Sequence, residues 1–205
     1  MASLYDLKPR FQALLRPLLG DLAAAGLTAN ALTVLAAMGS LAAGAAVAFA
    51  GERPALLLLL PVWLFIRMAL NALDGMMARE LGMRSNLGAV LNEVGDVVSD
   101  LALYVPLALV RPSALWPVVA FAVGAGLTEF CGVLGQALGA GRQYQGPMGK
   151  SDRALVVGAL GLATFLFPAL LEHWPWAFGI FAVLAAWTCV RRCRAALAVL
   201  AAKPR

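Results

Sequence analysis

Five acids lie in or beside strongly apolar stretches, namely Asp74, Glu93, Asp96, Asp100 and Glu129, in company with Arg67, Asn71 and Asn92. Helical spacing sorts them by face. Arg67, Asn71, Asp74 and Ala78 follow one another at intervals of four, three and four residues and share one stripe. Asn92, Asp96 and Asp100, each four apart, form a second stripe with Glu93 beside it. Clustered carboxylate and amide oxygens without imidazole or thiolate suit a hard cation such as Mg²⁺, Mn²⁺ or Ca²⁺. A carboxylate held beside a hydroxyl also serves as a general base. The plainer reading is structural: salt bridges and hydrogen bonds between helices, above all Arg67 with Asp100 or Glu129. Gly75, Gly88 and Gly95 favour a ligand site, because they weaken a helix while letting a bulky group reach its backbone. Close helix packing alone also explains Gly95.

The elements that must position these groups follow from composition. The chain of 205 residues is 62% hydrophobic and 13% charged, with a mean hydropathy of +0.83. Ordinary globular domains are about 45–50% apolar and about 25% charged. A single water-facing core of this size cannot hide so much apolar surface. A soluble enzyme, a coiled coil and a disordered chain are thereby excluded. The expectation is an all-α integral membrane protein, one domain over residues 1–205, with six transmembrane helices. Their spans fall near 31–50, 55–78, 87–110, 113–138, 154–171 and 174–190. Before them, residues 1–25 carry leucines and Phe11 at helical spacing, the pattern of an interfacial amphipathic helix that Pro9 and Pro17 must bend or interrupt. The loop joining the second and third spans is short, so the two polar stripes face each other as a hydrophilic pocket. Five acids there outnumber Arg67 and Arg79, which leaves the pocket in need of protons, water or a cation.

Charge sets the orientation. Thirteen Lys and Arg residues fall on the side of the N-terminus and two, Arg53 and Arg111, on the other. Both termini and the polar pocket are expected on the cytoplasmic face of the inner (plasma) membrane. The net charge of +5 suits anionic headgroups better than nucleic acid. His173 is the single histidine, so His-based metal clusters are excluded, and Cys131, Cys189 and Cys193 read as buried free thiols.

The order Asn71-x2-Asp74-Gly75-x2-Ala78-Arg79-x8-Gly88-x3-Asn92-x3-Asp96 resembles the motif of the CDP-alcohol phosphotransferase (CDP-alcohol phosphatidyltransferase) family. That motif is D-x2-D-G-x2-A-R-x8-G-x3-D-x3-D, and its owners are membrane enzymes of phospholipid synthesis. The segment Leu27-Thr28-Ala29-Asn30-Ala31-Leu32-Thr33 is similar to the family's entry into the first span. The resemblance implies transfer of a phosphatidyl group from CDP-diacylglycerol to a small alcohol with release of CMP, in a homodimer that uses a divalent metal, Mg²⁺ or Mn²⁺. It implies metal positions at Asp74, Asp96, Asn71 and Asn92, with Asp96 also the base. Gly75, Ala78, Arg79, Gly88 and Asn30 would surround the cytidine diphosphate.

Two departures stand out. Asn71 and Asn92 replace the first and third aspartates, and each removes a formal negative charge. Metal affinity or metal number should fall accordingly. Glu93, Asp100 and Glu129 are auxiliary acids near the pocket, and Arg67 could do part of a cation's work. In the loop before the fifth span, Lys150 and Arg153 suit an anionic group on the acceptor or lipid headgroup. Topology alone also explains them. Gly149-Lys150-Ser151 lacks the strand and spacing of a P-loop. The run Arg191-Arg192-Cys193-Arg194 reads as a headgroup anchor. Two alternative functions remain: a catalytically impaired CDP-lipid-binding or scaffold homologue, which the asparagines favour, and an ion-coupled transporter, which lacks the paired halves of such folds.

Overall fold

The structure, a computed structural model, describes residues 4–202. Lys203 and Arg205, counted above among the basic residues, lie outside the described residues. Among those described, nine α-helices follow in order: α1 (Leu4–Leu15), α2 (Leu18–Ala24), α3 (Ala29–Val47), α4 (Leu59–Glu80), α5 (Asn86–Tyr104), α6 (Leu107–Val110), α7 (Leu115–Ala137), α8 (Lys150–Leu166) and α9 (Trp174–Ala201). Local chemistry sets their ends. Thr28 Oγ1 accepts from the Ala31 amide at 3.2 Å to start α3, and Ser85 Oγ accepts from the Gly88 amide at 2.9 Å to start α5. The Asp152 carboxylate accepts from the Gly149 amide at 3.0 Å at the head of α8.

Proline edits the expected elements. Pro17 divides the expected N-terminal helix into α1 and α2, whereas Pro9 sits inside α1 without ending it. Pro106 cuts the span expected over 87–110 into α5 and the short α6. Pro168 stops α8 and opens a 3-10 segment, Pro168–His173, that leads into α9. The last helix runs on to Ala201, past the basic run at which the sixth span was expected to end.

Among the described residues, four stretches are long and apolar enough to cross a membrane: Ala29–Val47, Pro54–Glu80, Pro112–Ala137 and Pro168–Ala201. The other two expected crossings correspond to α5 and α8, each of which carries three charged residues. The 19-residue α5 carries Glu93, Asp96 and Asp100, and the 17-residue α8 opens on Lys150, Asp152 and Arg153.

Helix α3 packs on both α4 and α5, while α4 packs on α8, α5 on α7 and α7 on α9. The α3–α5 approach depends on Gly44, where an added Cβ would stand 1.8 Å from the Ala102 carbonyl oxygen. Away from the 81–85 turn, Tyr104, Phe121, Phe178 and Trp174 build an aromatic core with ring centroids 5.0–5.7 Å apart. Nearer that turn, Leu19 of α2 caps a second cluster with Leu32, Leu73, Met76 and Met77, and Arg16 holds Glu80 through two bonds of 3.0 and 3.1 Å.

The distribution of polarity is inverted. Met38, Phe65 and Val183 are 61%, 63% and 68% exposed, whereas Arg67, Asp100 and Arg153 are 3%, 1% and 0% exposed. Lipid as the surrounding solvent accounts for both halves of that pattern.

Candidate active site

The middle of α4 and the second half of α5 are joined by side chains of the two predicted stripes. Arg67 Nη1 donates to Asp100 Oδ1 at 2.5 Å, as the spacing suggested. Its Nη2 donates to the Asp96 carbonyl oxygen at 3.1 Å and lies 3.6 Å from Asp96 Oδ1. Asn71 Nδ2 donates to the same Oδ1 at 3.3 Å. Lys150, from the head of α8, donates to Asp96 Oδ2. Asp74 sits within electrostatic reach of both Asp96 and Lys150, and its Oδ2 accepts from Thr33 Oγ1 of α3 at 2.8 Å.

A second buried network lies one helix further on. Arg153 binds Asp100 Oδ2 at 2.7 and 3.0 Å, Glu129 Oε1 at 2.9 Å, Thr128 Oγ1 at 2.7 Å and the Met148 carbonyl oxygen at 2.8 Å. Arg142 of the 138–149 loop reaches Glu129 Oε2 at 3.0 Å and pairs with Glu93. Burial lowers the Arg142 guanidinium from its ordinary value, the largest influence on it. Arg192 donates to the Thr128 carbonyl oxygen and lies 3.8 Å from Glu129 Oε2.

These contacts correct four expectations. The acids do not stand in excess: Arg142, Lys150, Arg153 and Arg192 join Arg67 to offset Glu93, Asp96, Asp100 and Glu129. The space between the stripes is largely filled by these pairs, and a narrow hollow remains between α4 and α8, lined by Leu64, Arg67, Met68 and Asn71 of the one and Lys150 and Ala154 of the other. Arg153, expected to hold a phosphate, is wholly enclosed and committed to its partners, and Arg192 is buried where a headgroup anchor was expected. Arg142, Arg192, Thr33 and Thr128 were not singled out from sequence as parts of the polar cluster. They share no spacing with the motif, and only the packing of α3, α7 and α9 brings them to it. Five buried polar atoms among the described residues have no hydrogen-bond partner: Arg67 Nε, Arg192 Nε, Arg111 Nε, Glu93 Oε2 and the Tyr104 hydroxyl, and each such group typically costs about 1–3 kcal/mol.

The remaining motif residues gather toward the 81–85 turn. Asn30 Nδ2 donates to Ser85 Oγ at 3.4 Å. A Cβ at Gly88 would stand 2.5 Å from Asn30 Oδ1, so any larger residue at this junction of α3 and α5 would displace the Asn30 side chain. The Arg79 guanidinium folds back over Gly75, where an added Cβ would stand 3.1 Å from Nη1. Ala78 packs at the edge of the Leu32–Met76 cluster. Asn92 and Glu93 are half-buried on α5.

The donor set does not fit a pair of divalent ions. Among the described residues, no three acid, thiol or imidazole side chains converge as ligands. Both Asp96 oxygens already meet cationic or amide donors, Asp74 Oδ2 meets a hydroxyl, and Asn71 turns its amino group, not its oxygen, toward Asp96.

A bundle with these motif positions on facing helices defines a class of lipid-synthesising membrane transferases. The chain belongs to the CDP-alcohol phosphatidyltransferase family, whose profile matches residues 26–190. Among curated relatives, the inner membrane protein YnbA of Escherichia coli strain K12 is 47% identical over 195 residues, covering 95% of this chain and 96% of that one. The fold is similar to that of phosphatidylinositol phosphate synthase PgsA1 of Mycobacterium tuberculosis. With CDP-DAG bound, that protein superposes with a TM-score of 0.75 at 23% identity, covering 90% of this chain and 94% of that one. Its complex with manganese and citrate also gives a TM-score of 0.75, at 22% identity over 89% and 88% of the two chains.

Proposed function

We propose that the protein transfers a phosphatidyl group from CDP-diacylglycerol to an alcohol acceptor. The observation that carries this reading is Asp96, a buried carboxylate held at the family's base position by Lys150, Arg67 and Asn71. The acceptor oxygen attacks the β-phosphorus. As that P–O bond forms, the bond to the bridging oxygen of CMP breaks, CMP leaves with the electron pair, and the acceptor's proton passes to Asp96. Asp74, oriented by Thr33, together with Asn71 and Asn92 faces the diphosphate. Gly75, Ala78, Arg79, Gly88 and Asn30 form the cytidine end of the site, and Lys150 at the rim meets an anionic group of the substrates. Glu93, Asp100 and Glu129 act indirectly, by fixing Arg142, Arg67 and Arg153. Positioning and charge carry most of the rate enhancement in phosphoryl transfer.

The family match and the CDP-DAG-bound neighbour support this donor. The inverted polarity and the basic residues support six crossings, with α5 and α8 among them. They also support an N-terminal pair of helices lying at the interface, and cytoplasmic termini and site in an inner membrane. A homodimer is the arrangement expected of the family. Incubating the purified protein with CDP-diacylglycerol and a panel of alcohols, plain and phosphorylated, is the direct test. A new phospholipid detected by mass spectrometry with one acceptor supports the transfer; CMP release with none of them rejects it.

The paired asparagines favour a second reading, a CDP-lipid-binding homologue without turnover. Under that reading the double substitution N71D/N92D creates activity absent from the wild type. A robust wild-type rate excludes it.

A further inference from the structure

The charges around Asp96 suggest how a diphosphate is held here. We infer that Lys150 and Arg67 supply the positive charge that grips the diphosphate of the CDP-linked lipid, so that binding needs no divalent ion. The inference rests on the reading of this site as a CDP-lipid site and deepens it.

Three independent observations converge. Amides at positions 71 and 92 have removed two of the charges that a metal pair requires, and neutral amide oxygens hold a hard cation weakly compared with carboxylates. Cations of the chain itself stand in the same space: Lys150 on Asp96 and within electrostatic reach of Asp74, and Arg67 between Asp96 and Asp100. A divalent ion placed between Asp74 and Asp96 would face repulsion from both. The third observation is a donor left free at this site. Arg67 is 3% exposed, its Nε–H has no partner among the described residues, and it lines the hollow together with Asn71 and Lys150.

A phosphate oxygen is a fitting occupant, since guanidinium and ammonium groups are its natural donors. Lys150 can meet it with little reorganisation, because its side chain is 31% exposed and stands at the first turn of α8. Once Lys150 turns from Asp96 to a phosphate, the Asp96 Oδ2 is released to receive the acceptor's proton. The same movement therefore loads the donor lipid and frees the base.

The test is calorimetric titration of cytidine diphosphate into the full-length protein in lipid nanodiscs, with EDTA or with Mg²⁺. The expected Kd differs by less than about threefold between the two conditions. Lys150→Met weakens binding in EDTA by about thirtyfold, and N71D/N92D makes binding depend on Mg²⁺. Electron paramagnetic resonance of added Mn²⁺ gives a second readout: wild type leaves the free-ion signal intact, and N71D/N92D depletes it. Wild-type binding seen only with Mg²⁺, depletion of the Mn²⁺ signal by wild type, or unchanged affinity in Lys150→Met would each overturn the inference while leaving the CDP-lipid reading in place. An absence of binding under both conditions would overturn both.

Discussion

Lys150 and Arg153 lie three residues apart in one basic segment, yet their surroundings give them opposite tasks. Arg153 makes five hydrogen bonds to four groups and is fully enclosed. Arg153→Met would leave Asp100 and Glu129 short of buried countercharge, with an expected loss of about 3–5 kcal/mol, read as a large fall in thermal midpoint or failure to purify. Lys150→Met removes a half-buried group and should leave the midpoint nearly unchanged while reducing CMP release. Equal thermal effects of the two substitutions would contradict this division. Thr33→Val tests the orientation of Asp74. Loss of the hydroxyl donor should slow CMP release about tenfold, the equivalent of roughly 1.4 kcal/mol, with little change in thermal midpoint.

At this scale the motif was readable because helical spacing is a local property. Arg67 with Asp100 could be paired by counting turns inward from the 81–85 loop. Thr33, Arg142 and Arg192 could not, because their partners lie 41, 13 and 64 residues away on other helices. The misplaced role of Arg153 has the same origin. A basic residue before an apolar run carries the same pattern whether it faces headgroups or turns inward to meet two acids.

Among the elements, proline and glycine decided more than hydropathy. Apolar windows located the helices but ran through Pro106 and Pro168, so the expected third and fifth spans came out too long. The same windows closed the sixth span at its first arginines, although α9 continues because Arg192 has buried partners. Gly44 had no motif to recommend it, yet it lets α3 and α5 approach and so brings Thr33 alongside the α4–α5 cleft. Gly44→Ala forces a methyl group against the backbone at Ala102, where no flexible side chain can yield. The expected outcome is a destabilisation of about 1–3 kcal/mol, measured by thermal unfolding in detergent. An unaltered midpoint would mean that α3 and α5 pack less tightly than described.

The molecule as a whole separates two solvents. Its outer surface offers aliphatic and aromatic groups, and its axis holds five acids and five cations drawn from α4, α5, α7, α8, α9 and the 138–149 loop. Such a balance suits a site that must receive a diphosphate without carrying a standing excess of charge. The central claim is that Asp96 is the base of a CDP-lipid transferase, and it is tested most directly by CMP release from CDP-diacylglycerol, compared between wild type and Asp96→Asn in the presence of a productive acceptor. The substitution keeps the shape of the side chain and removes its ability to take a proton. Release slowed by about a hundredfold or more, with the folded bundle retained, is the predicted result. Equal release by the two proteins would contradict it.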